Sequence, residues 1–141
     1  QINFFVLAER MMLADLPGYG FARAPKEAVQ RWTRMVETYL KGRVPLARCI
    51  LLIDSRHGLK ANDNTIMDML DTAAVSYQIV LTKADKPSVP QVEACLAATA
   101  EAAAKRPAAH PDVLVTSAET GRGIAELRAV IAALAVTQQL G

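Results

Sequence analysis

No run of apolar residues approaches the roughly 18 needed to cross a bilayer, so these 141 residues hold no membrane-spanning helix. The opening residues carry no signal-peptide pattern either. Cysteine is scarce: Cys49 opens an apolar run, Cys95 lies in a helical pattern, and neither has metal-ligand spacing. A disulfide framework and a zinc site are thereby excluded, and two free thiols in a reducing cytoplasm are expected. Aromatic residues make up only 5%, so the core must be built from Ala, Val, Leu and Ile. No Gly-x-x-x-x-Gly-Lys-[Ser/Thr] occurs. That loop cradles the β- and γ-phosphates of a nucleotide and supplies a hydroxyl to Mg²⁺. A triphosphate site is therefore not complete within these residues. The sequence opens on Gln1, directly at a strand-like run, and a longer polypeptide with residues upstream is expected.

What is present alternates strand and helix, which predicts a single α/β domain over 1–141 with a mostly parallel sheet covered on both faces. Ile2–Leu7 and Met11–Asp15 read as two strands close enough for a hairpin around Ala8-Glu9-Arg10. Pro25–Lys41 reads as a helix, with Val29, Trp32, Val36, Tyr39 and Leu40 at helical spacing. Arg48–Asp54 is a continuous apolar run, as a strand buried on both faces requires. Ser55–Leu59 reads as a loop, and Asn62 or Asp63 is the expected cap of a helix through Asp71. Tyr77–Leu81 is the next strand. Ser88 caps an Ala-rich helix to about Lys105, with Pro90 in its first turn. Val113–Val115 is the last strand, and Ile124, Leu127, Ile131 and Leu134 form the stripe of the last helix.

Three strand ends carry polar turns. Met11–Asp15 runs into Asp15-Leu16-Pro17-Gly18, Tyr77–Leu81 into Thr82-Lys83-Ala84-Asp85, and Val113–Val115 into Thr116-Ser117-Ala118. Thr-Lys-x-Asp at a strand end is a guanine-reading pattern. One carboxylate accepts from both the ring N–H and the exocyclic amine of guanine, a donor pair that adenine does not offer. A site built on such a pairing rejects the wrong base by roughly 10⁴-fold or more. Residue usage alone yields [Asn/Thr]-Lys-x-Asp in roughly one chain in twenty of this length, so the motif counts only through its company. Ligands of open parallel sheets bind beyond the carboxyl ends of the strands, where these three turns would converge. A flavodoxin-like domain with accidental motifs leaves that order unexplained.

Net charge is +2, and its distribution is uneven. Arg23–Arg48 holds seven basic residues against Glu27 and Glu37, a local +5 that leaves −3 for the rest. Such a segment is either the solvated face of a helix or a phosphate-contacting surface. On helical spacing, Arg31, Arg34 and Lys41 point away from the Trp32 side and would act together on RNA. His110 reads as a loop residue. Arg56 and His57 read as loop-packing or ion-pairing residues, with partner contact as the alternative.

Asn3-Phe4-Phe5, Asp15-Leu16-Pro17-Gly18-Tyr19-Gly20-Phe21-Ala22, Asp54-Ser55-Arg56-His57-Gly58-Leu59-Lys60, Thr82-Lys83-Ala84-Asp85 and Thr116-Ser117-Ala118 together closely resemble the EngB (YihA/YsxC) family of bacterial translation-factor-class GTPases. The first long stretch and the Asp-x-Arg-His-x-Leu-Lys stretch are the most specific to it. The resemblance covers essentially the whole sequence, except that the family's P-loop strand, loop and helix would lie upstream of Gln1. It implies a Ras-like P-loop GTPase fold, Mg²⁺-dependent GTP and GDP binding, slow hydrolysis and a cytoplasmic location. It further implies a role in assembling the large ribosomal subunit, through that subunit or its rRNA, and in cell division and septation. Asp15 would then hold Mg²⁺ through a water, and the Gly18 N–H would sense the γ-phosphate. Lys83 and Asp85 would read guanine, with Thr82 bracing the loop. The Ala118 N–H would reach guanine O6, and Thr116 and Ser117 would shape that turn. Tyr19 stands where many GTPases place a water-orienting Gln, so no catalytic residue is assigned. A non-enzymatic RNA- or ribosome-binding module with a degenerate nucleotide site is the competing reading.

In Ras-like sheets the P-loop strand runs between the strands that correspond to Met11–Asp15 and Arg48–Asp54. Without it, two exposed apolar edges are expected unless the gap closes in another way.

Overall fold

A computed structural model describes residues 5–8, 11–15, 34 and 48–140. Strands β1 (Phe5–Ala8), β2 (Met11–Asp15), β3 (Arg48–Asp54), β4 (Tyr77–Thr82) and β5 (Leu114–Val115) form one sheet in that order. Helix α1 (Ala61–Thr72) joins β3 to β4, α2 (Val89–Ala104) joins β4 to β5, and α3 (Ile124–Leu140) closes the described chain. β1 and β2 pair antiparallel, as the expected hairpin requires, but Ala8 pairs with Met11 and so ends β1 where it was expected in the turn. Every other pairing is parallel. The α/β class with a largely parallel, helix-flanked sheet is the one read from the sequence.

The two edges expected to be left open are not open. β2 lies directly against β3, with Met11 opposite Arg48 and Asp15 opposite Leu52. Unpaired strand edges present rows of unsatisfied N–H and C=O groups, and this pairing satisfies both at once.

β3 and β4 are buried on both faces, as their unbroken apolar runs require. Cys49, Leu51, Ile53, Tyr77, Ile79 and Leu81 face Ile66, Met67 and Leu70 of α1 and Ala103 of α2. Right-handed crossovers between successive parallel strands place α1 and α2 on the same face. Each fully buried Leu or Ile contributes about 1.5–3 kcal/mol relative to exposure, so this cluster is the main source of stability. The opposite face carries Ile50, Val80 and Gln78, all buried. Gln78 is tolerated there because both ends of its amide are engaged. Its Oε1 accepts from Arg48 Nη1 at 2.9 Å, and its Nε2 donates to Asp112 O at 2.8 Å.

Local signals fix the helix starts. Ser88 caps α2 with a reciprocal pair: Gln91 N–H donates to Ser88 Oγ at 3.3 Å, and Ser88 N–H donates to Gln91 Oε1 at 2.8 Å. α1 starts earlier than expected. Lys60 is its N-cap, and Asp63 lies inside the first turn, reaching back to accept the Lys60 N–H at 2.7 Å. A carboxylate in the first turn favours the helix N-terminus as well as a cap does, which is why capping preference alone misplaced the boundary. On α3, Ile124, Leu127, Ile131 and Leu134 are half-buried while their neighbours Ala125, Arg128 and Ala132 are exposed, the expected stripe. The expected helix over 25–41 lies outside the described residues, apart from Arg34, which is helical and exposed.

The parallel strands all end at one edge. Asp15 is the last residue of β2, Asp54 of β3, Thr82 of β4 and Val115 of β5. That edge carries the candidate site.

Candidate functional site

β4 and β5 hand their chain ends to two turns that are stitched together. Thr116 donates to Leu81 O through its N–H at 2.7 Å and its Oγ1 at 2.9 Å. Ala84 N–H donates back to Thr116 O at 3.0 Å. Thr82 ties the same turn to β3, its Oγ1 donating to Ile53 O at 3.3 Å, while Ser55 N–H donates to Thr82 O at 2.9 Å. Thr82 is thus held by a cross-strand hydrogen bond to the end of β3.

The two turns share a side-chain contact. Ser117, buried to 1% exposure, donates through Oγ to Asp85 Oδ1 at 2.7 Å. Its Oγ also accepts the Thr120 N–H at 3.2 Å, and its N–H donates to Arg122 O at 2.9 Å. Gly123 makes that loop possible. Its φ is +73°, and a Cβ there would lie 1.9 Å from Val115 O. Only glycine fits where this loop turns back onto the end of β5.

Asp85 keeps 16% of its side chain exposed, with Lys86 Nζ 3.4 Å from Oδ2. The Ser117 hydrogen bond holds its carboxyl below the ordinary range; partial burial opposes this and Lys86 assists. It is therefore ionised at neutral pH and purely an acceptor, as pairing with two N–H donors demands. Ala118, next to Ser117, is exposed.

Lys83 takes a positive φ of +57° and sends its ammonium to Asp54, 3.4 Å from Oδ2. Sequence reasoning quoted Asp54 within a family-specific stretch but gave it no role. Its carboxylate ends β3 at 8% exposure and grips Arg56. Oδ1 accepts the Arg56 N–H at 2.9 Å and Nε at 3.1 Å, and Oδ2 accepts Nη2 at 2.7 Å. Burial pushes the Asp54 carboxyl up, but Arg56 and Lys83 outweigh it and hold it at about 2. An acid at a strand end followed two residues later by Arg was the available signal. Arg56 is thus an ion-pairing residue, one of its two expected roles.

Asp15 sits on the same edge by its backbone, one strand away from Asp54. Leu16, Pro17, Gly18 and Tyr19 lie outside the described residues, as do Arg31 and Lys41. The structure therefore brings together two of the three predicted turns, 82–85 and 116–118, and places the strand leading to the third on the same edge, with β3 between it and β4. A groove of about 740 Å³ lies elsewhere, between α1, α2 and the Ser55–Leu59 loop, and includes none of these turn residues.

Sequence comparison fits this geometry. No family model matches the chain. Curated relatives do. A "Probable GTP-binding protein EngB" of Rhodospirillum rubrum is 56% identical over 140 residues, spanning 96% of this chain and 61% of the relative. The protein of the same name in Ruegeria pomeroyi is 50% identical over 134 residues, 95% of this chain and 62% of the relative. Over the residues it spans, the chain matches EngB proteins at high identity. It covers about three-fifths of the length of these two EngB relatives. Among solved structures, the crystal structure of a probable GTP-binding protein EngB superposes with a TM-score of 0.63 at 19% identity, covering 94% of this chain and 80% of that one. Apo elongation factor SelB of Methanococcus maripaludis superposes at 0.57 and 21% identity, over 63% of this chain and 20% of that one. Both establish the fold.

Proposed function

We propose that the intact protein binds GTP and GDP at the carboxyl edge of its sheet, with Asp85 reading the Watson–Crick edge of guanine. The observation that carries this reading is the Ser117–Asp85 hydrogen bond of 2.7 Å, which fixes the carboxylate beside the 116–118 turn. Lys83 would cover the base with its stem, and the Ala118 N–H would meet O6. Leu16, Pro17 and Gly18 would face the phosphates. Among the described residues no cluster of three His, Cys, Asp or Glu could hold a metal alone. Mg²⁺ would then be held chiefly by the nucleotide phosphates, with Asp15 at the end of β2 as its water-mediated protein contact. The metal would supply charge neutralisation at those phosphates. Hydrolysis is proposed to be slow, because Tyr19 cannot orient water as a glutamine does.

The family likeness supports a cytoplasmic role in large-subunit assembly, with consequences for division and septation. Arg31, Arg34 and Lys41 are the proposed rRNA contacts. No described helix is long and apolar enough to cross a membrane. Titration of the intact gene product with a fluorescent GDP analogue tests the central reading. Tight binding that ATP does not displace, lost in Asp85→Ala, supports it. No binding by the intact protein would leave the non-enzymatic RNA- or ribosome-binding module as the better account.

A further inference from the structure

Lys83 is one of two non-glycine residues with positive φ among those described, the other being Ala74. A residue with a side chain is strained in that region and persists only where its surroundings fix it. The main chain is fixed by the Ala84–Thr116 bond and by Lys86 N–H donating to Lys83 O, each 3.0 Å. The side chain is fixed separately, by Asp54 at 3.4 Å. Asp54 cannot swing, because it is nearly buried and both its oxygens are held by Arg56. An ion pair whose lysine is 54% exposed adds little to fold stability. Its consequence is geometric: the aliphatic stem of Lys83 is drawn from the 82–85 turn toward the end of β3.

On the guanine-site reading given above, we infer that Asp54, clamped by Arg56, is a positioning residue for Lys83. It holds the stem in the one orientation that lies along the flat face of the base, so the stem is ordered before the nucleotide arrives. Preorganisation of this kind raises affinity by removing an ordering cost. The stem touches the face of the base and not its edge, so Asp54 acts on affinity and leaves base discrimination to Asp85.

The test is titration of the intact gene product with GDP and with inosine diphosphate, which lacks the exocyclic amine. Four forms are compared: wild type, D54N, K83M and the double variant. D54N is expected to weaken both diphosphates about tenfold and equally, and to cost less than about twofold in the Lys83→Met background. K83M alone, at a half-exposed site that does not threaten folding, is expected to reproduce the D54N loss. Unchanged affinity in D54N overturns the inference, and so does an equal loss in both backgrounds, which marks a purely structural role. A D54N-induced change in the GDP-to-inosine-diphosphate ratio also overturns it. Should wild type bind neither diphosphate, the guanine reading falls and takes the positioning role with it. Should Asp85→Ala lose guanine preference while D54N is silent, the guanine reading stands and only the positioning role fails.

Discussion

Ser117 Oγ donates to Asp85 Oδ1 at 2.7 Å across 32 residues of chain, joining the end of β5 to the turn after β4. The hydroxyl has no slack, since it also accepts the Thr120 N–H at 3.2 Å. Asp85 is therefore aimed by a second turn, and on the proposed reading guanine recognition would be a property of the pair of turns.

Replacing Ser117 with Ala should leave the fold intact and the carboxylate free to rotate. Hydrogen bonds to charged groups are stronger than neutral ones, so GDP affinity is expected to fall about tenfold, and Thr should restore most of it. Fluorescence titration checks both. Wild-type affinity in Ser117→Ala would show that Asp85 does not depend on this contact.

Gly123→Ala meets two obstacles together, the φ of +73° and the 1.9 Å approach to Val115 O. The neighbour is backbone and cannot step aside. A loss of about 2–4 kcal/mol is expected, read by urea unfolding, with nucleotide affinity falling as the 117–122 loop shifts. Gly121→Ala is the control, because a Cβ there meets nothing within 4 Å and only its φ of +81° opposes the change. It should cost less.

Arg106 staples the end of α2 to α1. Its Nη1 donates to Asp68 Oδ1 at 2.8 Å and Asp71 Oδ2 at 3.0 Å, and its Nη2 to Asn64 Oδ1 at 2.9 Å. Asp71 Oδ1 in turn accepts from the Tyr77 hydroxyl at 3.2 Å and Ala108 N–H at 3.1 Å. Asp68 is 72% exposed and adds little, whereas Asp71 at 14% would be left without its cation. Arg106→Ala is expected to cost about 1–3 kcal/mol in thermal or urea unfolding. GDP affinity should hold, because the network is remote from the turns.

Acid should dissolve the Asp54 anchor in a defined window. Burial raises this carboxyl, Arg56 and Lys83 lower it further, and it settles at about 2 against an ordinary 3.8. The folded state thus binds its proton less readily than the unfolded chain. The stabilisation is complete above about pH 4 and disappears as pH falls through about 2. Urea unfolding of wild type and Asp54→Asn should show a gap that closes over that interval. A gap independent of pH would contradict the assignment.

Much of this was legible in the chain because its signals are local. The run Arg48–Asp54 gave β3 to the residue, and Ser88 with Pro90 just after it marked the start of α2. The Lys83–Asp85 and Thr116–Ala118 turns were found because motif and strand end coincide. Long-range pairing was not legible. Nothing in the spacing shows that Arg106 reaches back to Asn64 and Asp71, or that buried Gln78 finds Arg48 and Asp112. The direct β2–β3 pairing was missed for the opposite reason, since analogy with a larger sheet predicted a gap. Asp54 was quoted in a family-specific stretch but received no role, because a strand-final acid is unremarkable until its partners at 56 and 83 are seen together.

The most direct test changes the edge that Asp85 is proposed to read. An amide at 85 offers one donor and one acceptor in place of two acceptors, which suits a purine with C=O at the position of the guanine amine. Competition between GDP and xanthosine diphosphate on the intact gene product, wild type against Asp85→Asn, measures this. The account predicts that wild type strongly favours GDP and that Asp85→Asn reverses the preference. An unchanged preference for GDP in Asp85→Asn would contradict it.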